Sequence, residues 1–333
     1  MTKHTGTVLR VGVSCVLLCV LVWFCRPNAV WQAMRTAAPL VLAAAFAVYV
    51  ASMPLVAWRW HVVLQAEDTE VSIWQLTRYY LIGFFFNNFL PSSIGGDVAR
   101  VFYLSRHAGS MTASFSAIFV ERLLGFLAMA ALAIMSLLLL MLRGQAPHAV
   151  LLGSVTVALA LGFVALTLVC FHSRLNAATV RMLAHITLRN IGATIAGVLE
   201  TIHRYRAHRR ALVAALCISL IYQIILGMFT YMVTCGTGLP APFWLIFALM
   251  QLSSLAGIIP ITLETAGMRE GIYVLALEPL GYASDRVLAA LLLVRFLSML
   301  GSALGGIALM YERRHAGTAG DVRDIAGVAE RTR

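Results

Sequence analysis

The sequence predicts an all-α, polytopic membrane protein with about six spanning helices plus two re-entrant, broken hairpins in an inverted repeat. Three observations lead there. Of 333 residues, 61% are hydrophobic and only 12% charged, about half the charged share of an ordinary soluble domain. The apolar residues gather into runs long enough for a bilayer, and lipid must cover surface that no soluble fold of this length can hide. The net charge of +11 sits in short loops between those runs, the positive-inside pattern rather than a nucleic-acid surface.

The apolar runs are 8–25, 37–58, 73–90, 111–142, 149–171, 211–235, 243–259 and 287–311. The first follows Lys3 and Arg10 as a signal peptide would, but Trp23-Phe24-Cys25-Arg26-Pro27 offers no small-residue cleavage site, so it reads as a retained helix. The six cysteines lie in or at the ends of these runs without CxxC spacing, as small buried hydrophobes do. The stretch 172–210 carries seven arginines and one acid, Glu200. There Leu183, Ile186, Ile191, Ile195, Val198 and Ile202 recur at helical spacing, while Arg181, His185 and Arg189 share another face. This describes either an amphipathic helix on the anionic cytoplasmic leaflet or a solvated basic loop. Residues 312–333 read as a disordered cytoplasmic tail. The remaining 1–311 form one membrane domain, with repeats at 37–142 and 211–311 joined through the basic linker.

Orientation follows from parity. With the N-terminus, the 172–210 linker and Arg313/Arg314 all on the cytoplasmic side, 111–142 runs outwards and 149–171 inwards. The stretch 73–99 must then enter and leave on the cytoplasmic side. In the second half, 211–235 exits to the uncharged loop 236–242 and 287–311 returns, so 243–286 enters and leaves from outside. Helix, hairpin, helix therefore occurs twice with opposite sense, an arrangement that places broken segments at a transporter's mid-membrane site.

The two breaks support the count. One contains Asn87, Asn88, Pro91, Ser92, Ser93, Gly95, Gly96, Asp97 and Arg100; the other contains Pro260, Thr262, Glu264, Gly267, Arg269 and Glu270. Each has proline, then a hydroxyl residue, then glycine, with an arginine nine residues after the proline. Proline removes a backbone donor, and glycine allows unusual dihedrals or close approach to a ligand. In hydrocarbon such backbone persists only where protein or a watery cavity satisfies it. A kinked spanning helix is the alternative.

Charged residues cluster at these breaks: Asp97, Arg100, Glu121, Arg122, Glu264, Arg269, Glu270 and Arg295, four acids against four arginines. Exposed to lipid at the bilayer centre, each would cost about 2.5–3.5 kcal/mol. Glu121 and Arg122 point about 100° apart on a helix and need partners from other elements, the hairpins being nearest at hand. About 20 apolar residues follow Arg122, enough to span alone, which leaves a position at the cytoplasmic rim open for that pair. Arg295 faces either the cavity or, by snorkelling, the interface. Glu67, Asp68 and Glu70 read as an exposed loop cluster without functional signal. All nine histidines fall outside the apolar runs, and HExxH, GxSxG and phosphate-loop motifs are missing. No metal, cofactor or catalytic constellation is expected.

The motifs also carry a resemblance. Asn87 to Asp97 with Arg100 closely resembles the first signature of the lysylphosphatidylglycerol synthase transmembrane-region family, flippase-like proteins of the UPF0104 type. Glu121-Arg122-Leu123-Leu124-Gly125 resembles its acidic-Arg-x-x-Gly element, Arg59-Trp60 its Arg-Trp at the end of the second helix, and Gly267-Met268-Arg269-Glu270-Gly271 its Gly-Val-Arg-Glu-Gly. Glu264-Thr265 departs from the glycines usual there. The resemblance covers nearly the whole chain. It implies a bacterial inner-membrane protein moving a lipid between leaflets: an anionic or aminoacylated phospholipid, or an isoprenoid or hopanoid-type lipid. The soluble aminoacyltransferase domain of the best-known relatives is missing, so lipid synthesis is not expected. On this view Arg100, Arg122, Arg269 and Arg295 contact head-group phosphate, and Asp97, Glu121 and Glu270 hold them or meet a cationic head group.

Overall fold

A computed structural model of the chain describes residues 27–67, 69–89, 95–144, 149–184, 191–258 and 267–315. The first apolar run, Pro91, Ser92 and Ser93, and Pro260, Thr262 and Glu264 lie outside them. The described residues form helices and connecting turns: α1 Pro27–Arg35, α2 Pro39–Ala51, α3 Met53–Gln65, α4 Ile73–Phe89, α5 Gly95–Ala108, α6 Met111–Leu142, α7 Ala149–Phe171, α8 Ser173–Ala184, α9 Ile191–Arg204, α10 Arg209–Gly236, α11 Phe243–Ala256, α12 Met268–Leu277 and α13 Ser284–His315.

Five stretches are long and apolar enough to cross a membrane: Pro39–Gln65, Met111–Leu142, Gly153–Phe171, Arg209–Gly236 and Ser284–Glu312. They coincide with five of the six predicted spans. The first of them is interrupted by a turn at Ser52 between α2 and α3, where Pro54 cannot donate to the turn below it and the Ser52 hydroxyl donates to the Tyr49 carbonyl at 2.6 Å. This span also runs past its predicted end at 58, because Val62, Val63 and Leu64 prolong its apolar face. Arg59 and His61 thus belong to the helix body rather than to a loop. At the other end of the chain α13 continues to His315, so the predicted tail begins later than residue 312.

Between the long helices lie two hairpins. Their arms have 17 and 14 residues in α4 and α5, and 14 and 10 in α11 and α12. At 1.5 Å per residue the longest is about 26 Å, short of a ~30 Å hydrocarbon core. α4 packs on α5 and α11 on α12. The same set of neighbours recurs in each half. α3 packs on α4 as α10 packs on α11, and α5 packs on α6 as α12 packs on α13. The halves then exchange partners: α4 lies on α13 of the second half, and α11 lies on α6 of the first. One apolar core surrounds α3 to α6, another joins the C-terminal half of α6 to α11 and α12, and a third joins α2, α10 and α13.

The basic linker folds as two helices rather than one amphipathic rod or a loop. α8 and α9 pack together, α9 lies on α6, and Ile202 is buried there with Val198 against the same core. Ile195, on the predicted apolar face, is 43% exposed. The side chains of Ile186, Ile191, His185 and Arg189 lie outside the description. Glu67, read as part of an exposed loop cluster, pairs with Arg204 of α9 at 3.4 Å.

Candidate functional site

Each hairpin is closed by its own backbone chemistry. In the first, Asn87 Oδ1 near the end of α4 accepts from the Gly96 amide at 2.9 Å. A Cβ on Gly96 would stand 2.2 Å from the Gly83 carbonyl oxygen, so only glycine lets the arms approach this closely. Gly95 opens α5 beside it. The Asn88 amide turns back to the Phe84 carbonyl at 3.2 Å, which satisfies it within its own helix. In the second hairpin Gly267 takes φ +83° and precedes α12. Its amide donates to Glu270 Oε2 at 2.8 Å.

Around the first hairpin five charges assemble from three helices, α3, α5 and α6. Glu121 of α6 is fully buried and receives two guanidinium groups. Arg100 of α5 reaches its Oε2 at 2.8 Å, and Arg59 of α3 pairs with its Oε1. Arg59 also donates to the Ser219 hydroxyl of α10 at 3.1 Å. A Cβ on Gly125 would lie 3.0 Å from the same guanidinium; the glycine four residues after Glu121 makes the room that Arg59 fills. The Arg100 guanidinium lies between two rings, 4.3 Å from the centroid of Trp60 and 4.2 Å from that of Tyr80, a cation–π sandwich that is strongest away from water.

Asp97 forms the outer edge. Its Oδ2 is 2.7 Å from Arg122 Nε and its Oδ1 is 3.6 Å from Arg100. Asp97 is 24% exposed and Arg122 37%, whereas Arg100 is 3%. The cluster is thus sealed on the Glu121 side and open on the Asp97–Arg122 side.

The second half repeats the connection with its signs exchanged. In the first half the hairpin arm supplies the arginine (Arg100) and the long helix the glutamate (Glu121). In the second, α12 supplies the glutamate, Glu270, and α13 the arginine, Arg295. Glu270 Oε1 accepts from Arg295 Nε at 3.1 Å and Nη2 at 2.9 Å. Glu270 is 1% exposed, Arg295 23%. Arg269 points elsewhere, beside the hydroxyl of Tyr273.

Of the predicted residues, the structure thus brings together Asp97, Arg100, Glu121 and Arg122, and separately Glu270 and Arg295. Among the described residues no ion pair joins the two clusters. Glu121 is enclosed by protein, and Arg295 is held by Glu270. Arg59, Trp60, Tyr80 and Ser219 were missed as site residues. The first two stood out as the Arg-Trp element at a helix end but were given no place in the site, and a serine within an apolar run, such as Ser219, carries no distinguishing pattern.

Long apolar helices, two short hairpins and charges buried where hairpin meets span define a polytopic integral membrane protein. The chain belongs to the family described as the lysylphosphatidylglycerol synthase TM region, whose model matches residues 7–306. It is also similar to a UPF0104 membrane protein of Methanothermobacter thermautotrophicus, 24% identical over 325 residues that cover 93% of this chain and 96% of the relative.

Proposed function

We propose that the protein moves a polar lipid between the leaflets of a bacterial cytoplasmic membrane, the head group passing along the charged groups at the hairpins while the acyl chains stay in the bilayer. The observation that carries this reading is the partial exposure of Asp97 and Arg122 beside a hairpin too short to span. Ionised groups facing hydrocarbon at that depth are costly, so an exposed pair there calls for a polar medium or a polar ligand. Fully sealed ion pairs would need neither. The hairpins enter from opposite faces of the membrane as the two arms of an inverted repeat, with both termini cytoplasmic. The chain acts as a transporter, without making or breaking bonds in the lipid.

The test is leaflet accessibility of labelled lipids in proteoliposomes, across anionic, aminoacylated and isoprenoid classes. At least one class should equilibrate faster with protein than without, and Arg122→Gln should slow it. Rates equal to protein-free vesicles for every class would end the proposal. An enzyme would instead change the lipid's chemical identity, visible in the mass spectrum of the recovered lipid.

A further inference from the structure

The first cluster does not balance. Three arginines, Arg59, Arg100 and Arg122, face two carboxylates, Glu121 and Asp97. Most of its unmet hydrogen-bonding capacity has the same sign, Asp97 Oδ1 being the one acceptor among the donors. Arg59 Nε, Arg100 Nε and Trp60 Nε1 are buried N–H donors without an acceptor. Arg59 and Arg100 are more than nine-tenths buried. A buried excess of positive charge and of donors is costly unless an anionic acceptor joins it.

Asp97 is the group that now partly fills that role, and it fits poorly. Its carboxylate stands between Arg100 and Arg122, but Oδ1 lies 3.6 Å from Arg100 and accepts no hydrogen bond. As placed, its two oxygens do not serve both guanidinium groups at once: Oδ2 lies 2.7 Å from Arg122 Nε while Oδ1 stays out of hydrogen-bond reach of Arg100. A phosphate, with more oxygens and a tetrahedral arrangement of them, can present one to each guanidinium fork. Asp97 also sits in the first turn of α5, immediately after Gly95 and Gly96. Whatever displaces it loosens the turn that leaves the hairpin tip.

Resting on the proposed lipid translocation, we infer that the first half binds a phosphate oxyanion between Arg100 and Arg122, and that Asp97 occupies that place as an intramolecular stand-in which the phosphate displaces. The substrate class follows: a lipid with a phosphate in its head group rather than a phosphate-free glycolipid. Asp97 competes with the ligand, so removing its charge strengthens binding. A carboxylate that met a cationic head group would behave in the opposite way.

The experiment uses the full chain in maltoside micelles, with fluorescent phosphatidylglycerol and a glucosyl-diacylglycerol of the same acyl chains as probes. Asp97→Asn should tighten phosphatidylglycerol binding by about tenfold, and Arg122→Gln should weaken it by at least about as much, since each alters one charge-assisted contact. Neither should move the glucosyl lipid. Hydrogen exchange over 95–100 should quicken when phosphatidylglycerol binds, a readout that needs no variant. Inorganic phosphate serves as competitor: displacement at millimolar concentration assigns the site to free phosphate as well as lipid, and failure to displace assigns it to the lipid alone. Unchanged or weaker binding in Asp97→Asn, or a glucosyl lipid bound as tightly as phosphatidylglycerol, overturns the inference. If proteoliposomes move both lipids alike while Asp97→Asn changes no affinity, translocation stands and the phosphate assignment falls. If binding follows the predicted order but no lipid crosses, the reverse holds.

Discussion

At the scale of single residues the molecule turns on Glu121. One carboxylate, wholly removed from solvent, pairs with both Arg100 from the hairpin and Arg59 from α3. Removing one member of such a group leaves uncompensated charge in the interior, which typically costs about 3–5 kcal/mol. Glu121→Gln is therefore expected to lower the unfolding midpoint of the detergent-solubilised protein sharply. Asp97→Asn, at the open edge of the same cluster, should cost less than about 1 kcal/mol. Equal losses in thermal unfolding would mean that the cluster is not organised around Glu121. The sequence exposed Glu121, Arg122, Asp97 and Arg100 because charge in an apolar run stands out. Arg59 was hidden by its position: a basic residue after an apolar run looks like the interface, and only the apolar continuation at Val62 to Leu64 argues otherwise. Pairing was less legible than membership. That Glu121 and Arg122 need separate partners followed from helix geometry, but which arginine met which acid required the fold.

At the scale of elements, the close contact between α4 and α13 fixes the first hairpin to the second half of the molecule. A Cβ on Gly305 would lie 2.0 Å from the Leu81 carbonyl oxygen, a contact that backbone movement alone could relieve. Arg78 ties the same two helices further along, its Nε 2.6 Å from Glu312. Gly305→Ala is expected to push α4 away, lowering both thermal stability and lipid movement. Gly271→Ala is the matched control, since a Cβ there meets nothing within 4 Å; as a helix-interior glycine replaced by alanine it should be neutral or stabilise by up to about 1 kcal/mol. If both changes behaved alike, the α4–α13 contact would carry no special weight. Element boundaries were read well where a long apolar run stops abruptly: Met111–Leu142 and Ala149–Phe171 end where the hydropathy does. The linker was read less well. Its helical period was visible, but burial of Ile202 and exposure of Ile195 depend on where α6 lies, and no local pattern encodes that.

At the scale of the whole molecule, the repeated order of long helix, hairpin and long helix, with each hairpin's first arm on the other half's last helix, is the packing an internal two-fold relation would generate. Whether that relation is an inversion across the membrane depends on sidedness, which parity alone supplies. Single cysteines placed at exposed positions flanking each hairpin decide it, in a background where the six native cysteines are replaced. Glu70→Cys and Thr112→Cys bracket the first hairpin, and Pro240→Cys and Glu278→Cys bracket the second; all four positions are exposed. A membrane-impermeant maleimide added to intact cells is expected to label the second pair and to reach the first only after lysis. Labels on opposite sides of α4–α5 would make that hairpin a crossing. The parity of every later helix would then shift, and Arg100 and Glu270 would no longer approach the membrane from opposite faces. If each pair instead stays together and the two pairs differ, the exchange of signs between Arg100–Glu121 and Glu270–Arg295 gains a consequence. The two leaflets would then meet hairpins whose arms supply opposite members of the buried pair, an arginine from α5 and a glutamate from α12. A passage with that polarity would not present the same surface in both directions.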